Sequence, residues 1–340
     1  MGSPRLGLSA GALVNSSGDS HMFRPEIKVV DCTIRDGGLA NDSKFELETV
    51  RNVYRAMCDS GVDYVELGYR NSKEMFPPSK FGPWRHCDED ALRKVVEGID
   101  AKGTQITIMQ DSHKAKADDV LEKDKSVVDM IRIATYVKDV DKAIALAKNA
   151  TQKGYDSTIN IMAISREHSP FLDEALQQID EETEVKAVYI VDSYGALYSE
   201  EVHFLYEQFR KYLKTKEVGV HFHNNQQLAF ANTIEGIIKG ANFVDGTLFG
   251  LGRAAGNCPL ELLLGFLKNP KFDIVPILKV ISESILPLQK DIEWGYTIPY
   301  MLTGVLDKHP LSAMNWLSGE RRDDYVAFYQ EISEEMGLGD

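Results

Sequence analysis

One phrase recurs along this chain and narrows its fold more than any other feature: a helical stretch ends at a glycine, a few residues turn, and a β-branched run follows. It appears in "SGVDYVELG" at Gly61, "KGTQITIM" at Gly103, "KGYDSTINIM" at Gly154 and "KGANFVDGTL" at Gly240. Glycine just past a helix tolerates the left-handed backbone that closes many helix ends, and a preceding lysine suits the negative end of the helix dipole. Each phrase therefore predicts helix, tight turn, buried strand. "IKVVD" at Ile27, "DMIRIA" at Asp129, "KAVYIV" at Lys186 and "VGVHFH" at Val218 bring the strand candidates before residue 250 to eight. Most are separated by roughly 12 to 20 residues of helical periodicity, as in "DVDKAIALAKNATQ".

Strands alternating with helices imply right-handed parallel crossovers, so eight such units predict an α/β fold of the (β/α)8 TIM-barrel class. The rival is an open doubly wound sheet. No G-x-G-x-x-G follows the first strand, which weakens its dinucleotide-binding version. After residue 270 the rhythm stops, and "FDIVPILKVISESILPLQ" and "DDYVAFYQEISEEM" read as helices. The expected layout is a leader or expression tag over 1–22, a catalytic barrel over 23–268 and a short helical C-terminal extension over 269–340. In the last helix Tyr325, Phe328, Ile332 and Met336 form one apolar face, expected to pack against the barrel with some homodimer contact.

Composition excludes several partners. The net charge of -14 argues against nucleic acid and anionic membrane surfaces, which require clustered Lys and Arg. No run approaches the roughly 18 to 20 apolar residues of a membrane span. The four cysteines, Cys32, Cys58, Cys87 and Cys258, form no C-x-x-C pair, so the expected setting is a reducing cytoplasm and the expected partner a small molecule.

In a barrel the C-terminal strand ends carry the chemistry. Strand one delivers Arg35 and Asp36 in "DCTIRDGG", strand two Glu66 and Arg70, strand four Arg132 and Thr135, and strand six Asp192 and Ser193. Strand seven delivers His221 and His223, which the two-residue period of a strand places on one face. Strand eight runs into the glycine-rich "GTLFGLGRAAGNCPLE", holding Arg253 and Asn257. A carboxylate, two imidazoles and an amide oxygen suit a divalent ion such as Mn²⁺, Mg²⁺ or Zn²⁺. An isolated H-x-H is a weak signal, since histidines near strand ends are more often structural. The "RDG" of the first strand and the glycine-rich loop after the eighth shift the balance towards metal.

"DCTIRDGG", "VDYVELG", "HFHNN" and "GLGRAAGNCPLE", in that order between Ile27 and Leu264, resemble the DRE-TIM metallolyase superfamily. These are the 3-hydroxy-3-methylglutaryl-CoA lyase-like, or pyruvate carboxyltransferase-like, barrels; "AGNCPLE" is most similar to the 4-hydroxy-2-oxovalerate aldolases. The resemblance implies a metal-dependent lyase that makes or breaks a carbon-carbon bond at a 2-oxo acid through a pyruvate-type enolate, with an aldehyde as the other product. It implies Asp36, His221 and His223 as ligands with Asn257 completing the site, and Mn²⁺ or Mg²⁺ ahead of Zn²⁺ or Co²⁺. Arg35 would steady the enolate beside Glu66, and Arg132, Thr135, Asp192 and Ser193 are the expected substrate contacts. Two alternatives are an acyl-CoA:2-oxo acid condensing synthase of the same fold and a metal-binding barrel serving as a non-catalytic or regulatory subunit.

The chain departs from the aldolase pattern where those enzymes carry a basic histidine shortly after "RDG": Leu39 stands there. Asp42, His113, Tyr296 and Tyr300 are the candidate replacements. Cys258 follows Asn257, whereas the CoA lyases place a cysteine before it, and Gly38 occupies the region where the synthases have Glu. The aldolases also dock an aldehyde dehydrogenase through a C-terminal segment that this tail does not match.

Overall fold

The computed structural model describes residues 24–167 and 170–337, so the leader expected over 1–22 lies outside the described residues. Eight parallel strands close into a barrel in chain order: β1 (Lys28–Asp31), β2 (Tyr64–Tyr69), β3 (Gln105–Asp111), β4 (Met130–Thr135), β5 (Asp156–Ile161), β6 (Ala187–Asp192), β7 (Glu217–Phe222) and β8 (Phe243–Gly246). Closure is direct, with Val30 opposite Tyr64 on one side of β1 and Asp245 on the other. Each sequence phrase ending at a glycine became the entry to one of these strands.

The connections are α1 (Thr33–Gly37), α2 (Leu47–Ser60), α3 (Glu89–Val96), α4 (Val140–Gln152), α5 (Phe171–Glu182), α6 (Ser199–Tyr212), α7 (Ala229–Lys239) and α8 (Leu260–Leu267). Two departures from a regular (β/α)8 pattern bear on the site. The "RDG" segment after β1 is the short helix α1, whose first turn holds Asp36. Between β3 and β4 only two short 3-10 turns appear, because "DSHKAKADDVLEKDKSVVD" is rich in charge and lacks an apolar helical stripe.

Strand alternation builds two cores. Ile131, Ile133, Ile159, Ile161, Val188, Ile190, Val218 and Val220 face the helices. Val30, Cys32, Tyr64, Met130, Ala187, Tyr189, Val191 and Phe243 fill the barrel interior. The opposite faces follow from the two-residue period. Beyond α8 come α9 (Ile274–Val280), α10 (Ile298–Val305), α11 (Leu311–Leu317) and α12 (Tyr325–Glu335). The apolar face expected in α12 is only partly covered: Phe328 and Ile332 are buried, while Tyr325 is 40% exposed. Among the described residues no helix is long and apolar enough to cross a membrane.

Candidate active site

At the C-terminal mouth of the barrel lies a cavity of about 80 Å³ lined by Arg35, Asp36, Leu39, Tyr69, Met109, Asp111, Ala134, Asn160, Met162, Val191, Ser193, His221, His223 and Arg253. Asp36, His221 and His223 converge, with one ligand-capable atom from each lying within 4.8 Å of the others. The His221 and His223 Nε2 atoms stand 3.7 and 3.9 Å from Asp36 Oδ2. Asn257 Nδ2 donates to Asp36 Oδ1 at 3.0 Å, and the Arg253 backbone N–H donates to the same oxygen at 3.2 Å. A Cβ at Gly252 would meet both Asp36 Oδ1 and Asn257 Nδ2, so glycine is what lets the loop approach this closely.

Beneath the cavity runs an alternating chain of charges. Arg35 donates to Asp36 Oδ2 at 2.5 Å and to Glu66 Oε2 at 2.7 Å. Arg132, fully buried, donates to the same Glu66 oxygen at 2.9 Å and to Asp245 Oδ2 at 2.6 Å. Asp245 in turn holds His221 through Nδ1 at 2.9 Å. Such burial is tolerated because every charge meets an opposite one.

Electrostatics favour a cation at this point. Burial pushes the Asp36 carboxyl up, but Arg35 and the two imidazoles outweigh it and hold it well below the usual carboxylate range. Burial likewise opposes the charge on Asp245, yet Arg132 and His221 bring it down to about 2. Burial takes His223 down to about 3, leaving it neutral. For His221 burial works against protonation, but the hydrogen bond to Asp245 and the nearby Asp36 carboxylate prevail and raise it. The side chains fit a divalent ion on one further observation: His221 Nε2 and Asn257 Oδ1 are buried without a hydrogen-bond partner. With Nδ1 held by Asp245, His221 Nε2 faces Asp36 and would offer its lone pair to an ion, as in a carboxylate–histidine–metal arrangement.

Of the residues singled out in the sequence, Arg35, Asp36, Ser193, His221 and His223 line the cavity, and Glu66, Arg132 and Asn257 support it from behind. Thr135 and Asp192 do not reach it. In strands β4 and β6 they fall on the opposite parity from Arg132 and Val191, so Thr135 Oγ1 bonds Ser112 and nearby backbone, while Asp192 accepts from the N–H groups of Ala196 and Leu197. Tyr300 is buried among the C-terminal helices and Tyr296 is half exposed, neither lining the cavity. Asp42 pairs with Lys44 outside, and His113 Nε2 faces Asp139 at 3.1 Å. Leu39 does line the cavity, with Met109, Ala134 and Met162, as an apolar wall. Sequence reasoning passed over Asp245, although "FVDG" carried the signal of an acid at an inward position near the end of a strand.

Residues 26–280 match the HMGL-like family. This chain belongs to it. Similar proteins include an oxaloacetate decarboxylase of Mycobacterium tuberculosis, 28% identical over 71% of this chain and 70% of that protein. A 4-hydroxy-2-oxovalerate aldolase of Thermus thermophilus is 29% identical over 80% of this chain and 78% of its own length. Among solved structures, the N-terminal domain of a provisionally assigned aldolase from Bacteroides vulgatus superposes with a TM-score of 0.77 at 32% identity, covering 88% of this chain and all of that one. The HMGL-like match makes the chain a lyase or aldolase family barrel and accords with a metal-binding mouth.

Proposed function

We propose that this protein is a divalent-metal-dependent lyase that breaks a carbon-carbon bond in a 2-oxo acid through a pyruvate-type enolate. The observation that carries the reading is the convergence of Asp36, His221 and His223 on one point beside the Arg35 guanidinium. These three side chains would hold the ion, with Asn257 and Asp245 fixing Asp36 and His221. A bound divalent ion, Mn²⁺ or Mg²⁺, supplies Lewis acidity at the keto oxygen. Arg35 gives Nε and one Nη to its own acids and lines the cavity, where its guanidinium stabilises negative charge growing on the substrate oxygen.

A second reading within this one, decarboxylation, is favoured by Leu39. Aldol cleavage needs a base to take the hydroxyl proton, and the wall of Leu39, Met109, Ala134 and Met162 offers none. Asp111, the acid elsewhere in the cavity, is occupied by Lys114 Nζ and the His113 N–H. In decarboxylation the bond to the leaving carboxylate breaks, CO₂ departs, its electron pair becomes the enolate, and a proton from solvent completes pyruvate.

The test is deuterium exchange into the pyruvate methyl group, read by mass spectrometry with Mg²⁺ or Mn²⁺ and again after chelation. Exchange that requires metal and disappears in His221→Ala supports the lyase. A folded, metal-loaded protein that leaves pyruvate unlabelled and releases no CO₂ from 2-oxo diacids removes it.

A further inference from the structure

Three arginines surround this site, and one of them has no acid. Arg35 pairs with Asp36 and Glu66, and Arg132 with Glu66 and Asp245. Arg253, from the glycine-rich loop, lines the same cavity and makes no ion pair among the described residues. Its Nε is buried without a partner. One Nη donates to the Ser193 carbonyl at 3.2 Å, and the other faces His309 Nε2 at 3.3 Å.

The His309 contact is weaker than its distance suggests. Leu311 N–H donates to His309 Nδ1 at 3.1 Å. Burial and the neighbouring Arg253 bring His309 down to about 4, so at neutral pH it carries one proton and offers one lone pair. Two N–H groups, from Leu311 at Nδ1 and Arg253 at Nε2, therefore compete for one lone pair. If Nδ1 accepts from Leu311, then Nε2 carries hydrogen and faces Arg253 donor to donor. Neither acid in this region pairs with the guanidinium: Asp36 is held by Arg35 and Asn257, and Asp307 is engaged by Ser165 at 2.6 Å and Arg166 at 3.5 Å. Ser193 adds a third donor: its Oγ accepts from the Ala163 N–H and its proton finds no acceptor among the described residues.

Resting on the 2-oxo acid reading, we propose that Arg253, His309 Nε2–H and the Ser193 hydroxyl form a second anion subsite at the cavity mouth, and that the substrate is a 2-oxo acid bearing a second carboxylate. An anionic acceptor there would take up the donors that the protein itself leaves unsatisfied. It also supplies the counter-charge that the guanidinium lacks.

The test is calorimetric binding of malate, lactate and 3-phosphoglycerate to the full chain loaded with Mn²⁺, in wild type, Arg253→Leu and Arg253→Lys. Malate is expected to bind wild type at least about tenfold tighter than lactate, the factor one charge-assisted hydrogen bond gives. In Arg253→Leu the ratio should fall to about twofold or less, and in Arg253→Lys it should be partly kept by a point charge without the planar fork. An unchanged ratio in Arg253→Leu overturns the subsite, and 3-phosphoglycerate binding about tenfold tighter than malate overturns its assignment to a carboxylate. Should Arg253→Leu not fold, His309→Ala carries the same comparison. Pyruvate exchange is measured alongside in wild type. Exchange without an Arg253-dependent malate preference keeps the lyase and rejects the subsite; the preference without exchange does the reverse.

Discussion

Replacing Arg132 with Met keeps the length of the side chain and removes its charge from the centre of the barrel. Arg132 is wholly buried, bridges Glu66 and Asp245, and lies 4.5 Å over the Tyr189 ring. Burial works against its charge, and the two carboxylates outweigh that effect. Breaking a buried pair from one side costs about 3 to 5 kcal/mol, since the remaining charge is stranded. The low end is expected here, about 3 kcal/mol, because Glu66 retains Arg35 at 2.7 Å and Asp245 retains His221 at 2.9 Å. The assay is the urea-unfolding midpoint at unchanged slope. Adding Asp245→Asn to Arg132→Met removes the most exposed consequence of the change, a carboxylate left with one partner, and the double variant should be more stable than the single. A loss below roughly 1 kcal/mol, the size of an ordinary substitution, would refute the view that Arg132 neutralises the floor of the site.

Asp31 predicts a pH effect of defined sign. Burial raises it from 3.8 to about 7, against hydrogen bonds from Thr33, so between those values the folded state holds a proton the unfolded state has lost. Stability should therefore fall by roughly 4 kcal/mol as pH rises from 4 to 7, and thermal unfolding of Asp31→Asn should lack this component; an identical pH profile would count against it. Gly252→Ala should lower Mn²⁺ affinity about 10- to 100-fold, as loss of support to a metal ligand does, because its methyl would press on Asp36 Oδ1 at 2.8 Å; titration with an unchanged circular dichroism spectrum checks this, and wild-type affinity refutes it. Leu39→His should raise retro-aldol cleavage of a 4-hydroxy-2-oxo acid at least about tenfold, by restoring a base to the apolar wall; a folded, metal-loaded variant with no gain would show that the missing base lies elsewhere.

The parts of this architecture that the sequence exposed are those governed by local periodicity. Eight β-branched runs after glycine or charge gave the strands, and the two-residue spacing of His221 on β7 and His223 just past its end brought both rings to the cavity. The same rule, applied to Thr135 and Asp192, would have excluded them: once Arg132 faces inward on β4, Thr135 faces outward. What stayed hidden depends on contacts distant in the chain. Asp245 gains its role from Arg132 and His221, and Arg253 shows its lack of an acid only when Ser193 and His309 are placed around it. Local pattern also could not reveal that "TIRDG" coils into a helix, since five residues are too few to display a 3.6-residue period.

The glycine-rich loop has a second side. Ala254 and Ala255 pack into a small apolar cluster with Tyr300, Ala313, Leu317, Phe328 and Ile332, all from the C-terminal helices. Ala254 also accepts from the Gly295 N–H at 3.2 Å, and Asn225, just past the histidine pair, donates to the Tyr300 carbonyl at 3.2 Å. The extension thus acts as a backstop for the part of the mouth nearest the incoming molecule. The two units are separable in their effects: the strands carry the converging side chains, while a methyl group gained or lost at Ala313 or Leu317 would press on or release Ala254 and Ala255 in the loop above. Divergence of specificity would then leave its mark in residues that no reactant ever touches.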